Sequence, residues 1–230
     1  MVWIKICGIT NLEDARMASR LKVDSIGFVL STDSPRRIEI NTAGRIIEAL
    51  RSEGNMIPAV GVFVNEETKD VLKYSKSLGL DYVQLSGDEN NSYLKKLKEK
   101  SGGLKIIKSI RIKDNNKDKN KKKEISYISA GKAKIYQEIE SFKGYADFIL
   151  FDSYRNGAYG GTGDTFNWDI IKYFSIGIPV ILSGGLDGEN VRQAVDIVKP
   201  FGVDASSRLE ICPGKKDPDK VRRFVNAIRL

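Results

Sequence analysis

The chain has no histidine in its 230 residues. That absence excludes a Ser-His-Asp triad and any metal site ligated by imidazole. Acid–base chemistry must then come from carboxylate, thiol, amine or phenol groups. Cysteine is nearly as scarce: Cys7 and Cys212 lie far apart and fit a reduced cytosol better than a disulfide framework. No apolar run approaches the ~18–20 residues of a membrane span. A strand-like run begins at Trp3, which argues against a signal peptide, so the expected location is the cytoplasm.

Charge is plentiful. The net charge is +8, and Arg111–Glu124 holds seven basic residues against Asp114, Asp118 and Glu124. Half of the excess thus sits in one segment, and that segment has no aromatic residue. Nucleic-acid surfaces interleave stacking platforms with their basic residues. The run reads as a solvated loop insertion at about 111–124, and no nucleic-acid partner is expected. The remaining positive charge helps attract an anionic substrate.

Short apolar runs alternate with amphipathic stretches eight times. The strand candidates are Trp3–Cys7, Ser25–Val29, Pro58–Phe63, Tyr82–Leu85, Lys105–Ile110, Asp147–Phe151, Ile178–Leu182 and Phe201–Ala205. Helical patterns lie between them. Thr10 and Glu13 suggest a capping box before Leu12, Ala15 and Ala18, and Asn41 a cap before Ala43, Ile46, Ile47 and Leu50. Asp217-Pro218 supplies a cap and a first-turn proline for the last helix. Ile125–Phe142 reads as the fifth helix, displaced by the basic insertion. Eight strands each followed by a helix predict an α/β fold, a single (β/α)8 TIM barrel over 1–230, rather than an open sheet.

In such barrels the chemistry sits at the C-terminal ends of the strands. Three clusters of small residues follow the last apolar runs: Gly160-Gly161-Thr162-Gly163, Ser183-Gly184-Gly185 and Ala205-Ser206-Ser207. Glycine lets backbone N–H groups come close to a ligand, and this fold type builds phosphate sites after strands 7 and 8. The expected partner is a phosphorylated small molecule. Alternation places Lys5 and Cys7 on one face of the first strand. If that face points inward, Lys5 needs a partner, and Asp204 on the neighbouring eighth strand is the natural one.

Lys5-Ile6-Cys7-Gly8-Ile9-Thr10 resembles the opening of the phosphoribosylanthranilate isomerase family. The resemblance continues through Gly27-Phe28-Val29, Ser34-Pro35-Arg36, Val60–Asn65, Val83-Gln84-Leu85, Phe151-Asp152-Ser153 and Gly160–Gly163. It ends with Leu182–Leu186, Val203–Ser207 and Pro213-Gly214-Lys215-Lys216-Asp217. It covers the chain end to end at every turn expected around the site.

The resemblance implies an Amadori rearrangement of N-(5-phosphoribosyl)anthranilate in tryptophan biosynthesis, an aldose–ketose isomerisation without metal or cofactor. It implies Cys7 as general base, Asp152 as general acid and Arg36 as the holder of the anthranilate carboxylate. Gly161, Thr162, Gly163, Gly184, Gly185, Ser206 and Ser207 would surround the phosphate. Strands 1 and 6 are three steps apart around eight, so acid and base approach the sugar from opposing sides. Lys5 is expected to favour the thiolate, and desolvation to raise Asp152.

Three positions depart from the family pattern: Ser86 where His is usual, Asp164 where Lys is common, and Arg208 where Gly is usual. Taken alone, Cys7 reads as a small buried hydrophobe and Asp152 as a turn cap. Arg37 is the competitor of Arg36, expected to remain a surface charge. Cys212 is expected to be loop filler. The other readings are a different sugar-phosphate barrel enzyme and a non-catalytic polyanion-binding barrel. Monomer and homodimer are both open.

Overall fold

The computed structural model describes residues 1–31, 33–112, 133, 135–153, 168, 171 and 177–229. Eight parallel strands close in chain order: β1 (Trp3–Cys7), β2 (Ser25–Val29), β3 (Ala59–Phe63), β4 (Tyr82–Leu85), β5 (Lys105–Ile112), β6 (Phe148–Ser153), β7 (Val180–Leu182) and β8 (Gly202–Ala205). β8 pairs back on β1 with Lys5 opposite Asp204, which completes the expected (β/α)8 barrel. β5 runs two residues beyond the expected Ile110. Arg111 and Ile112 pair with Asp152 and Ser153, so the basic segment begins as barrel strand. The rest of that segment, 113–124, lies outside the described residues.

Alternation sorts each strand into two faces. Outward residues such as Ile4, Ile6, Phe28, Phe63, Leu85 and Phe151 are buried against the helices. On α1 (Leu12–Arg20) the packing residues are Ala15 and Ala18. On α2 (Ile40–Ser52) they are Ala43, Ile46, Ile47 and Leu50. Burying a large aliphatic or aromatic side chain contributes about 1.5–3 kcal/mol, so this shell is the main source of stability. The inward face forms a second, smaller core from Val60, Ile107, Leu150 and Ile181, with Trp3, Tyr82 and Phe148 beneath it.

Two helix starts differ from the sequence reading. The cap of α1 is Asn11, whose side chain accepts from the Asp14 N–H at 2.9 Å. Thr10 is unavailable because its hydroxyl donates to the Gly214 carbonyl, a contact with the far end of the chain. Asn41 lies inside α2. That helix starts from Glu39, whose carbonyl accepts from Thr42 and Ala43 N–H at 2.9 and 3.0 Å. The last helix starts as expected, with the Asp217 carboxylate accepting from Asp219 and Lys220 N–H. Of the expected fifth helix, residues 135–141 are helical, and Ile125 and its neighbours lie outside the described residues.

Candidate active site

β1 brings Lys5 and Cys7 to the inside of the barrel, Cys7 at the mouth. Lys5 is fully buried, and its Nζ donates to Asp204 Oδ1 at 2.8 Å, the pairing expected from the sequence. The other Asp204 oxygen accepts from the Ser183 hydroxyl at 3.5 Å. Cys7 sits across from Gly27 on β2. A Cβ at Gly27 would lie 2.8 Å from the Cys7 sulfur and 3.1 Å from Lys5 Cε. Glycine there leaves the space the thiol fills. Lys5 does favour the thiolate, but burial outweighs it and the Asp204 charge opposes it, so the Cys7 pKa is raised rather than lowered. The sequence reading had anticipated Lys5 and not the depth of burial.

Asp152 ends β6, and its Oδ1 accepts from the Ser153 N–H at 2.8 Å. Desolvation, helped by the Asp204 charge, raises its pKa to about 7, against the opposing pull of that N–H, Lys5 and Arg111. The Lys5–Asp204 pair acts electrostatically on both Cys7 and Asp152. A carboxylic acid that keeps its proton near neutral pH can donate it, which is the property a general acid needs.

Arg36 follows β2, in the turn where Arg37 N–H donates to the Ser34 carbonyl. Its stem crosses Gly8: a Cβ there would lie 2.8 Å from Arg36 Cδ and 2.9 Å from Ser206 Oγ. Gly8 has φ of +76°, so glycine is required both for the turn and for the close approach. The guanidinium is held by Glu210, with Nε donating at 2.9 and 3.1 Å and Nη2 at 2.8 Å. Arg37 is half exposed, with Glu39 3.9 Å away, and remains a surface charge as expected.

Glu210 was not singled out from the sequence, and Lys216 was named only within the Pro213–Asp217 run, without a role. They lie opposite each other in a two-stranded hairpin, β9 (Glu210–Cys212) and β10 (Lys215–Lys216), around Pro213-Gly214. That Pro-Gly pair was the available turn signal. Cys212, on the same hairpin, is exposed, and both thiols are free.

The β7 and β8 turns converge beside Asp152. Ser183, Gly184, Gly185, Asp204, Ser206 and Ser207 line one cleft with it. Gly184 and Gly185 have φ of +90° and +62°. A Cβ on Gly184 would lie 2.7 Å from the Ser153 nitrogen, so this turn packs directly on the end of β6. Among the described residues, nothing accepts from the N–H groups of Gly184, Gly185 or Ser206. Gly161, Thr162 and Gly163, like Asp164, lie outside the described residues.

The two other departures are placed. Ser86 accepts from Gln84 Nε2 at 3.0 Å, and the Gln84 oxygen is buried without a partner among the described residues. Arg208 reaches Asp187 at 2.8 Å.

The family model described as N-(5'phosphoribosyl)anthranilate (PRA) isomerase matches residues 4–227. A curated relative of that name from Rubrobacter xylanophilus is 41% identical over 229 residues, covering 100% of both chains. The solved phosphoribosyl anthranilate isomerase of Thermotoga maritima superposes with a TM-score of 0.81 at 36% identity, covering 100% of both chains. A phosphoribosyl anthranilate isomerase solved with reduced 1-(o-carboxyphenylamino)-1-deoxyribulose 5-phosphate gives 0.79 at 34% identity, again covering 100% of both.

Proposed function

The chain belongs to the N-(5'-phosphoribosyl)anthranilate isomerase family, and on that premise we propose that Cys7 and Asp152 are its acid–base pair. It is an isomerase of tryptophan biosynthesis, converting N-(5-phosphoribosyl)anthranilate to 1-(2-carboxyphenylamino)-1-deoxyribulose 5-phosphate. Asp152 gives its proton to the furanose oxygen, and the C1–O bond breaks to an open-chain iminium. The Cys7 thiolate then takes the proton from C2, leaving an enolamine. Protonation at C1, with loss of the C2 hydroxyl proton, gives the ketone. Burial makes the thiolate scarce but strongly basic, and the cationic iminium beside it favours that form.

Arg36 holds the substrate's carboxylate. Gly184, Gly185, Ser206 and Ser207, with Gly161, Thr162 and Gly163, cradle the phosphate. Residues 1–230 act as one domain, working as a monomer or homodimer in the cytoplasm, where Cys7 stays reduced.

The observation that carries this reading is Asp152, held protonated to about pH 7 at the same barrel mouth as Cys7, with Lys5–Asp204 acting on both. Cys7→Ala and Asp152→Asn should each lower kcat by at least ~10²-fold, the low end for general acid–base catalysis. Circular dichroism should show both folded. A Cys7→Ala enzyme turning over near the wild-type rate would remove Cys7 as the base.

A further inference from the structure

Glu210 is a buried carboxylate that touches two cations. It takes the Nε and Nη2 side of Arg36, and its Oε1 accepts from Lys216 Nζ at 2.8 Å. Lys216 is fully buried and also reaches the Ser206 carbonyl and hydroxyl at 3.3 and 3.4 Å. The backbone carbonyl of Glu210 is fixed separately by Lys220 Nζ at 2.8 Å.

Two features of this cluster are unfinished. The first is charge: two cations share one carboxylate, and among the described residues no second carboxylate accepts from the side chain of either. A buried cluster with one excess positive charge favours an incoming anion. The second is geometry. A guanidinium has five N–H donors in a fixed fork, and Glu210 occupies only the Nε–Nη2 edge. The Nη1–Nη2 edge has no acceptor among the described residues. That free edge matches a second carboxylate in a two-bond, planar pair.

We propose that Glu210 is a positioning residue for Arg36: by holding one edge of the guanidinium it presents the other to the aryl carboxylate of the substrate. Glu210 thereby sets the preference for a carboxylated over an uncarboxylated arylamine. This rests on the reading of Arg36 as the carboxylate's holder. An unheld arginine would have to lose its rotamer freedom on binding, and holding it beforehand removes that cost.

The test uses two inert ligands, reduced 1-(o-carboxyphenylamino)-1-deoxyribulose 5-phosphate and its phenylamino counterpart without the carboxyl group. Their inhibition constants are measured on wild type, Arg36→Met and Glu210→Gln. Because Glu210→Gln leaves two buried cations short of a partner, the same measurement is made on Glu210→Gln/Lys216→Met, against Lys216→Met. In Glu210→Gln the preference for the carboxylated ligand should fall at least tenfold, through weaker binding of that ligand alone. The same fall should appear in the Lys216→Met background. Adding Glu210→Gln to Arg36→Met should lower the preference no further. Equal weakening of both ligands, or an unchanged preference, overturns the role of Glu210. A preference that survives Arg36→Met overturns the reading of Arg36 and this inference with it. A preference lost in Arg36→Met but kept in Glu210→Gln overturns only the latter.

Discussion

The two ends of the barrel interior are built from the same strands and serve opposite ends. At the N-terminal end, Trp3 stacks on Phe148 at 6.5 Å, Tyr82 lies 5.9 Å from Trp3, and Phe201 packs 5.1 Å from Phe148. Moving along β1 from Trp3 leads to Lys5 and Cys7, along β4 from Tyr82 to Gln84, and along β6 from Phe148 to Asp152. Alternation keeps these residues on the inner face. Two residues of β1 or β4, and four of β6 with Leu150 between, change aromatic packing into polar chemistry. The lower end contributes contact and burial. The mouth keeps a buried ion pair, a raised thiol and a raised carboxyl. Of these the carboxyl costs stability at neutral pH, because the unfolded chain has already released its proton.

The largest effect that would sharpen this contrast is expected at the lower end. Trp3→Ala removes the ring shared by Tyr82, Phe148 and Phe201. It should cost about 3 kcal/mol in denaturant unfolding, the low end for such truncations because Trp3 is only partly buried. The kcat of the remaining folded enzyme should stay within about twofold, since the proposed general acid–base groups lie at the other end. A loss of kcat at unchanged stability would break the division between the ends.

A smaller effect of opposite sign is expected at the mouth. Between the ordinary carboxyl value of about 4 and the raised value of about 7 for Asp152, the folded state holds a proton that the unfolded chain has released. Stability therefore falls as pH rises through that window, and the loss is complete above it. Asp152→Asn removes this loss and can keep the hydrogen bond from the Ser153 N–H. The variant should be more stable than wild type by about 2 kcal/mol at pH 8, less than the raw shift converts to because the mouth is partly solvated. The gain should vanish by about pH 4. Equal melting curves at pH 8 would show that Asp152 ionises without cost.

How much of this was legible in the sequence follows from how local each signal was. The strands were readable from apolar runs, and Lys5–Asp204 was readable because a closed barrel makes β8 the neighbour of β1. Helix starts were less so: Thr10 was diverted by a carbonyl 204 residues away, which no local pattern carries. Glu210 was missed for the same reason, since its partner Arg36 lies 174 residues earlier. The sign of the Cys7 shift depended on burial competing with Lys5, and that balance needs the packed mouth.

Cys7 and Asp152, the proposed base and acid, can be told apart by pH. The proposed mechanism needs Asp152 with its proton and Cys7 without one, yet the thiol is raised above its ordinary value while Asp152 titrates near 7. The productive form is thus a minor one. Below pH 7 the thiolate fraction rises tenfold per unit while Asp152 stays protonated, so kcat/KM rises. Above pH 7 the gain in thiolate is cancelled by loss of the Asp152 proton, and the profile should be flat up to the thiol's own pKa. That plateau lies above the substrate phosphate's pKa of about 6, so it reports the enzyme. Asp152→Asn has no proton to lose. Its low residual kcat/KM should keep climbing where wild type is flat, by up to about tenfold between pH 7 and 8. Parallel profiles for the two enzymes would mean that the bend near pH 7 belongs to another group, and that Asp152 is not the acid.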